Sequence, residues 1–214
     1  MSKTENGLSR RELLKRAGIA AIAGSVRLQA DGQDVRLKPD ATTLTASEAE
    51  TLKAVCARLI PTDEHGPGAR EARAARYIDR ALTGFLAPSR PAYAAGLADL
   101  DRRAAASHGA PFARLNDADQ DAVLKDIEAT SFFALVRTHT IQGTFCDPFY
   151  GGNDHFVGWD LIGYPGVRTV VTADEQRMGI TLKPNHKSAY DYAMFNKATA
   201  RRDEDLKDVH GDAT

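Results

Sequence analysis

Apolar residues recur at helical spacing along the middle of the chain, and the clearest run follows Thr45. Thr45 and Glu48 fit a capping box, in which each side chain accepts a hydrogen bond from the other residue's amide. The helix that follows is predicted to end at Pro61, because proline cannot continue a helix. Its apolar face is formed by Leu52, Val55, Cys56, Leu59 and Ile60.

The same periodicity predicts four further helices. They cover about 69–86, about 91–107, a short stretch capped by Asn116 or Asp117, and about 131–145. The last of these is apolar on most sides and is expected to be the most buried. No alternating strand pattern and no internal repeat is found, so the predicted fold class is all-α. The buried face of the second helix is predicted to be Tyr77, Ile78, Ala81, Leu82 and Phe85.

The segment from Thr144 to Gly166 differs from the sequence around it, because glycines and aromatic residues dominate it. Glycine permits left-handed backbone and close backbone approach, and aromatic side chains supply large, rigid contact areas. From the residues alone, a self-packed cap over the helical core and a recognition surface are equally supported. The expected fold is a small irregular helical domain with a long glycine- and aromatic-rich loop and an extended C-terminal tail.

Residues 1–30 have the layout of an export signal, a basic segment followed by a short apolar one. Adjacent Arg10 and Arg11 precede a stretch of small apolar residues over 17–26, which indicates the twin-arginine route and a periplasmic location. A basic amphipathic helix of the mature protein is the alternative. Cleavage near Ala30 and retention of the signal both stay open. Residues 31–44 are polar and aperiodic, which predicts a linker.

Charge argues against nucleic acid as a partner. The chain has 28 basic and 29 acidic residues, a net charge of −1, and removal of residues 1–30 lowers the net charge to −5. Domains that bind nucleic acid are usually strongly basic, and an acidic body also disfavours anionic membrane surfaces. No apolar run approaches the ~20 residues needed to cross a bilayer. Membrane association is therefore expected only through partners.

The chain has two cysteines and no CxxC or CxxCH pattern, so neither a thiol redox pair nor a covalently attached haem is indicated. Cys56 lies on the apolar face of the first helix, and Cys146 follows the fifth. A disulfide between them is one hypothesis, because disulfides persist in exported proteins. Two buried thiols that pack as small apolar groups are the alternative.

The sequence contains no GxGxxG, phosphate loop, GxSxG or HExxH motif, so no catalytic or cofactor-binding residue is predicted in this chain. One metal-like cluster can be drawn, from His139, Asp147, Asp154 and His155. The spacing of these residues fixes no ligand geometry. Roles in turns and in hydrogen bonds to the backbone are therefore favoured over a metal site.

Five stretches of the chain stand out together: Arg58–Asp63, Gly66–Gly68, Tyr77–Leu82, Phe132–Thr140 and Asp147–Gly166. With the export signal, they resemble the gluconate 2-dehydrogenase subunit 3 family, the small or gamma subunit of flavin-dependent sugar dehydrogenases. The resemblance covers about 45–166, the expected small-subunit domain, and is weaker after it. The basic residue usual after Gly-Gly-Asn is replaced by Asp154 and His155, a departure that bears on a local contact with the partner.

The resemblance implies a non-catalytic subunit that holds no cofactor itself. Its partner would be a large FAD-dependent subunit of the glucose-methanol-choline oxidoreductase type, which oxidises a sugar or sugar acid such as gluconate, glucose or a glycoside. A cytochrome c often accepts the electrons, so haem c or an iron–sulfur cluster elsewhere in the complex is a further candidate cofactor. The small subunit would supply the twin-arginine signal and stabilise the flavin-loaded enzyme.

Aromatic residues of the loop and the tail are the predicted partner interface, because aromatic side chains are favoured interface anchors. Within the C-terminal extension, 167–214, residues 186–196 are expected to pack along the catalytic subunit, and the last ten or so are expected to be mobile. A final amphipathic helix on the domain's own core is the alternative. The predicted interface residues are Phe149, Tyr150, Asn153, Trp159, Tyr164, Tyr190, Tyr192 and Phe195.

Two other classes of function stay open from the sequence. One is a transient export and maturation chaperone that leaves the flavin subunit after export. The other is an autonomous exported enzyme that uses a metal ion at the His139 cluster.

Overall fold

The computed structural model describes residues 42–195. The predicted export signal with Arg10 and Arg11, nearly all of the linker, and the last residues of the C-terminal extension lie outside the described residues. Within 42–195 the chain forms helices and turns, with no strand beyond one isolated bridge between Asp63 and Gly66. The all-α prediction is confirmed. The α-helices are α1 Ala46–Leu59, α2 Ala74–Leu82, α3 Arg90–His108, α4 Asp117–Asp126, α5 Ser131–Phe145 and α6 Val157–Leu161.

Short 3₁₀ turns complete the regular structure of this part. Each has three residues, as is usual for short connecting turns of this type. Among the helices that the structure describes, none is both long enough and apolar enough to cross a membrane. The 3₁₀ turns are Ala87–Ser89, Phe112–Arg114, Pro148–Tyr150, Asp154–Phe156 and Ala189–Asp191.

Helix α1 begins where its capping residues predict. The Thr45 amide donates to Glu48 Oε2 at 2.8 Å, and the Glu48 amide donates to Thr45 Oγ1 at 3.3 Å, which confirms the capping box. Arg90, the first residue of α3, donates to the same Glu48 carboxylate at 2.7 Å. One carboxylate therefore caps α1 and joins it to α3.

Helix α2 is shorter than the predicted stretch of 69–86. It begins only after Arg73, which adopts a left-handed conformation (φ 55°) that interrupts the helical path. It ends before Thr83, whose amide turns back to the Arg80 carbonyl oxygen at 3.1 Å. Phe85 lies beyond this end and is 49% exposed. Its predicted place on the buried face of the helix is therefore wrong.

Helix α3 supplies three of the fully buried large side chains of the core. Tyr93, Leu97 and Leu100 are at most 1% exposed. Each such burial stabilises the fold by about 1.5–3 kcal/mol, so this cluster is the main source of stability in the described domain. The cluster comprises Leu52, Val55, Cys56, Ala69, Ala74, Tyr77, Ile78, Leu82, Tyr93, Leu97, Leu100, Ala104, Phe112, Val123, Leu124, Ile127 and Val136.

Helix α5 is predicted to be the most buried helix, and this is wrong: five of its 15 residues are buried, against five of nine in α2. Only one face is buried, and Ile141 on the other side is 42% exposed. Small and polar residues on the buried face let α5 approach α2 closely: a Cβ on Gly143 would lie 2.9 Å from the Ala74 carbonyl oxygen. The buried face consists of Val136, His139, Thr140, Gly143 and Thr144.

Candidate functional site

The glycine- and aromatic-rich loop that follows α5 folds back onto the end of that helix. A Cβ on Gly152 would lie 2.0 Å from the Gly143 carbonyl oxygen, and one on Gly158 would lie 1.9 Å from the Thr144 carbonyl oxygen. Only glycine permits this distance between backbones. The loop therefore packs directly against the α5 backbone, with no side chain between them at these two points.

Asn153 holds the loop together from inside. It is fully buried, and its Nδ2 donates to the Cys146 carbonyl oxygen at 2.8 Å. Its Oδ1 accepts from the Gly158 amide at 2.8 Å and from the Trp159 amide at 3.3 Å, at the start of α6. The sequence predicts Asn153 at the partner interface, and the structure corrects this, because the whole side chain is engaged within the loop.

Trp159 is a second correction to the predicted interface. It is 6% exposed, and its Nε1 donates to the Phe145 carbonyl oxygen at 2.9 Å. Its ring packs against Phe156, with 5.3 Å between ring centroids, and edge-on against Tyr164 at 4.8 Å. The inner side of the loop is thus a self-packed cap, while Tyr164 stays 39% exposed on its outside.

The backbone from Asn153 to Trp159 includes left-handed residues other than glycine, which is unusual. Asn153, His155 and Phe156 all have φ between 45° and 64°, a region that costs about 1–2 kcal/mol per residue. Asp154 lies among them, and its carboxylate pairs with Arg73 Nε at 3.1 Å. This ion pair joins the loop to the turn before α2, which helps to hold the strained backbone in place.

The C-terminal segment 185–192 docks on the outside of this loop. Asp147 anchors it: Oδ1 accepts from Ser188 Oγ at 2.6 Å, and Oδ2 accepts from the Ala189 amide at 2.8 Å. The sequence predicts either contact with the partner or a final amphipathic helix on the core. As far as residue 195, the segment instead packs on the chain's own loop through a short 3₁₀ turn, and partner contact by its outer surface stays a prediction.

Three aromatic rings from the loop and the tail, Phe149, Tyr150 and Tyr190, form what we call the aromatic cluster. Tyr190 stacks on Phe149 with 3.7 Å between ring centroids, and the Tyr150 and Tyr190 hydroxyls lie 3.0 Å apart. That hydrogen bond, together with burial, raises the pKa of Tyr150 to about 12. The structure thus brings three of the predicted interface residues together in one rigid, uncharged group.

Other contacts hold the rest of the tail on the loop. The Tyr192 hydroxyl donates to the Val167 carbonyl oxygen at 2.6 Å, and His186 Nε2 lies 2.7 Å from Asp160 Oδ1. Tyr192 therefore uses its polar group within the chain. Phe195, the last predicted interface residue, is 42% exposed.

Beside the aromatic cluster lies an apolar depression of about 450 Å³, between the region after α2 and the end of α5. Phe85, Ile141, Phe145 and Tyr150 line it. Sequence reasoning missed the first two as surface residues. Helical periodicity could have predicted that Ile141 is exposed, because this residue lies about 140° around α5 from the buried Val136. No comparable signal marks Phe85, whose position depends on where α2 ends.

The four metal candidates do not converge. His139 is buried, its Nδ1 lies 2.9 Å from the Tyr93 hydroxyl, and burial lowers its pKa. Asp147 binds the tail, and Asp154 Oδ2 lies 2.8 Å from Nδ1 of its neighbour His155. In the part of the chain that the structure describes, no three His, Cys, Asp or Glu side chains are placed to hold a metal ion.

Cys56 and Cys146 are free thiols, so the disulfide hypothesis is wrong. Cys56 Sγ lies 3.4 Å from Thr140 Oγ1 in the core, and Cys146 Sγ lies 3.7 Å from the Gly143 carbonyl oxygen. Burial raises the pKa of Cys56 to about 12 and that of Cys146 to about 11. Both thiols therefore pack as small neutral groups at physiological pH.

A larger groove, of about 1310 Å³, runs beside α1 and has a different character. Its lining mixes acidic and basic side chains that bind one another. Arg58 pairs with Asp117 at 2.6 Å, and the Thr62 hydroxyl donates to Glu71 at 2.6 Å. These contacts tie α1 to α4 and fix the turn before α2, so we assign them to the fold.

The fold and the site together define a small all-α protein with a packed helical core and an exposed aromatic surface made by a loop and a tail. A family model described as gluconate 2-dehydrogenase subunit 3 matches residues 46–166, more than half of the chain. The chain belongs to this family, as its resemblance predicts, and is a subunit of a multi-subunit dehydrogenase complex. No match was found among curated proteins or among solved structures.

Proposed function

We propose that this chain is the non-catalytic small subunit of a periplasmic, FAD-dependent dehydrogenase that oxidises a sugar or a sugar acid. The observation that carries the proposal is the family match over 46–166, which makes the chain one subunit of a dehydrogenase complex. Gluconate, glucose and glycosides are the candidate substrates. In this proposal they bind to the partner rather than to this chain.

Several reactive side chains make contacts within the chain itself, which supports a structural role. Asp147 holds the tail, and His139 contacts Tyr93 inside the core. Cys56 and Cys146 are neutral thiols, because burial raises the pKa of each. These four groups are thus engaged in the fold, whereas the aromatic rings of Phe149 and Tyr150 are partly exposed.

In the proposed complex, FAD lies in a large subunit of the glucose-methanol-choline oxidoreductase type. The electrons pass to a cytochrome c through its haem c, or to an iron–sulfur cluster, outside this chain. Binding of the small subunit stabilises the flavin subunit by mass action. A binding partner present at 100 times its Kd adds about 2.7 kcal/mol to the stability of the protein that it binds.

Export is the second proposed task. Arg10 and Arg11 would target both chains to the twin-arginine route. Because this route carries folded proteins, one signal can serve an assembled pair. We expect Arg10→Lys with Arg11→Lys to leave both this chain and the flavin subunit in the cytoplasm. Arg16→Lys, a matched change elsewhere in the signal, should leave export unchanged.

The test is an affinity purification of the C-terminally tagged chain from the periplasm. We expect a stoichiometric, larger protein with the absorbance of bound FAD and sugar-dependent reduction of a dye. A colourless chain without a partner would contradict the proposal. Recovery of the flavoprotein with this chain only from the cytoplasm would also contradict a stable subunit, because it would indicate a chaperone that leaves after export.

A further inference from the structure

Large exposed apolar side chains are unevenly distributed over the described residues. Helices α1, α3 and α4 expose none. Phe85, Ile141, Phe149 and Tyr150 are 37–49% exposed, and the other eight exposed large apolar residues lie along 162–195. Three of these line one depression, and the Phe149 ring lies 5.4 Å from the Tyr150 ring, so the four are contiguous. We call them the apolar face. Scattered exposed apolar residues are ordinary, but a contiguous group indicates an interaction site.

The side chains of the apolar face are held in place before any partner binds. Phe85 packs against the buried Tyr77 ring at 6.4 Å. Phe149 stacks on Tyr190, and the hydroxyl of Tyr190 fixes Tyr150. Aromatic groups that are already ordered lose little conformational entropy on binding, so they make efficient anchors.

The electrostatics of the depression favour an apolar occupant. The carboxylate on its lining, Asp147, already accepts hydrogen bonds from Ser188 and Ala189. The Cys146 thiol is neutral because burial raises its pKa to about 11, and the pKa of Tyr150 is also raised. An anionic group placed here would lose its water and would lie near a like charge, the Asp147 carboxylate. Aliphatic or aromatic side chains meet no such penalty.

The area of the apolar face helps to decide between possible occupants. Large aromatic side chains have about 150–250 Å² of surface each, so three aromatic residues and one isoleucine at these exposures offer roughly 300–400 Å². Two copies joined only through this face would bury less than the ~1,200 Å² of a specific interface. The apolar face has instead the size of an interface core, around which a larger partner adds a polar rim.

We propose that the large flavin-carrying subunit docks on the apolar face and inserts aliphatic or aromatic side chains into the depression. This rests on the proposed function, which supplies the partner. The contact adds Phe85 and Ile141, from the helical part of the chain, to the interface that the sequence places in the loop and the tail.

The proposal is tested with the full-length tagged chain carrying Ile141→Glu. Its matched control is Ala106→Glu, which places the same charge on an exposed position of α3. We expect the FAD absorbance recovered per tagged chain to fall at least tenfold in Ile141→Glu, because a carboxylate would be buried without a partner charge. Ala106→Glu should retain the wild-type yield. The helical circular dichroism and the melting temperature of both isolated variants should match wild type.

A photo-crosslinking amino acid at Phe149, compared with one at Ala106, gives a measurement that does not depend on a destabilising change. We expect a crosslink to the flavoprotein from position 149 and none from position 106. Absence of flavoprotein from the wild-type purification would contradict the proposed function itself. Flavoprotein recovered equally with Ile141→Glu would overturn only the docking face. So would a dimer of the isolated chain that Ile141→Glu dissociates, because the occupant would then be a second copy.

Discussion

The helical part of the chain, 46–145, and the loop with its tail, 146–195, are held together by different contacts. The helical core is filled by large apolar side chains such as Tyr93 and Leu97. The loop depends on one buried amide, Asn153, and on glycines that touch helix carbonyls. Apolar packing tolerates exchange between residues of similar volume, whereas a buried polar group needs every partner. The loop should therefore respond more sharply to conservative replacements.

The largest expected effect is a direct test of that difference. Asn153→Asp keeps the shape of the side chain but places a carboxylate against the Cys146 carbonyl oxygen. We expect it to lower the free energy of unfolding by about 3–5 kcal/mol, the cost of a buried charge without a partner. Leu97→Met, a change of similar volume in the core, should cost less than about 1.5 kcal/mol. Urea unfolding, followed by circular dichroism and by Trp159 fluorescence, measures both.

Acid offers an internal control for this pair of variants. Protonation of the new carboxyl group removes the buried charge, so Asn153→Asp should recover stability relative to wild type as the pH is lowered. Leu97→Met should not recover. A lower free energy of unfolding for Leu97→Met than for Asn153→Asp at neutral pH would contradict the predicted sensitivity of the loop.

An intermediate effect is expected where the tail meets the loop. Asp147→Asn removes the carboxylate that accepts from Ser188 and Ala189, and it turns an N–H group towards one of these donors. We expect a local loss of about 1–2 kcal/mol, seen as roughly tenfold faster hydrogen exchange at the Ala189 amide, with the helices unaffected. The matched control is Asp174→Asn, whose carboxylate pairs with Arg177 on the surface. Equal protection of the tail in both variants would show that Asp147 is not the anchor.

The smallest expected effect concerns pH and belongs to the helical part. Burial lowers the pKa of His139 from its ordinary 6.5, so the unfolded chain takes up this proton more readily than the folded chain. The neutral His139 side chain therefore adds to the free energy of unfolding. This contribution is complete above about pH 6.5 and is lost as the pH falls from there towards the lowered pKa of His139. His139→Asn should flatten the dependence of the urea midpoint on pH in this window. Thr138→Asn, a change without a titratable group at an exposed position of the same helix, should leave this dependence unchanged.

Helices were the more predictable of the two regions because their signals are local. The capping box at Thr45 and Glu48 fixes where α1 begins, and both residues lie within one turn. The predicted helix bounds are wrong where contacts between residues distant in sequence determine where a helix begins or ends. Arg73 is left-handed at a turn that an ion pair ties to Asp154, which delays the start of α2. At its other end α2 stops before Thr83, which leaves Phe85 on the surface.

In the loop, composition indicated an unusual segment but not which side chains face inwards. An asparagine and a tryptophan among glycines fit a recognition surface as well as a buried cap. Asn153 and Trp159 are buried because α5 ends with free carbonyl groups that they satisfy, at Cys146 and Phe145. That pairing depends on the packed geometry and not on any spacing in the sequence.

The contact of Gly152 and Gly158 with the end of α5 also sets an order of events. That surface exists only after α5 has formed, so the loop should fold after the helices. The aromatic cluster closes later still, because Tyr190 can stack on Phe149 and bond to Tyr150 only once the loop has placed these two residues. A partner that recognises Phe149 and Tyr150 would then bind only chains whose folding is finished. Assembly with the partner would therefore select for completely folded chains.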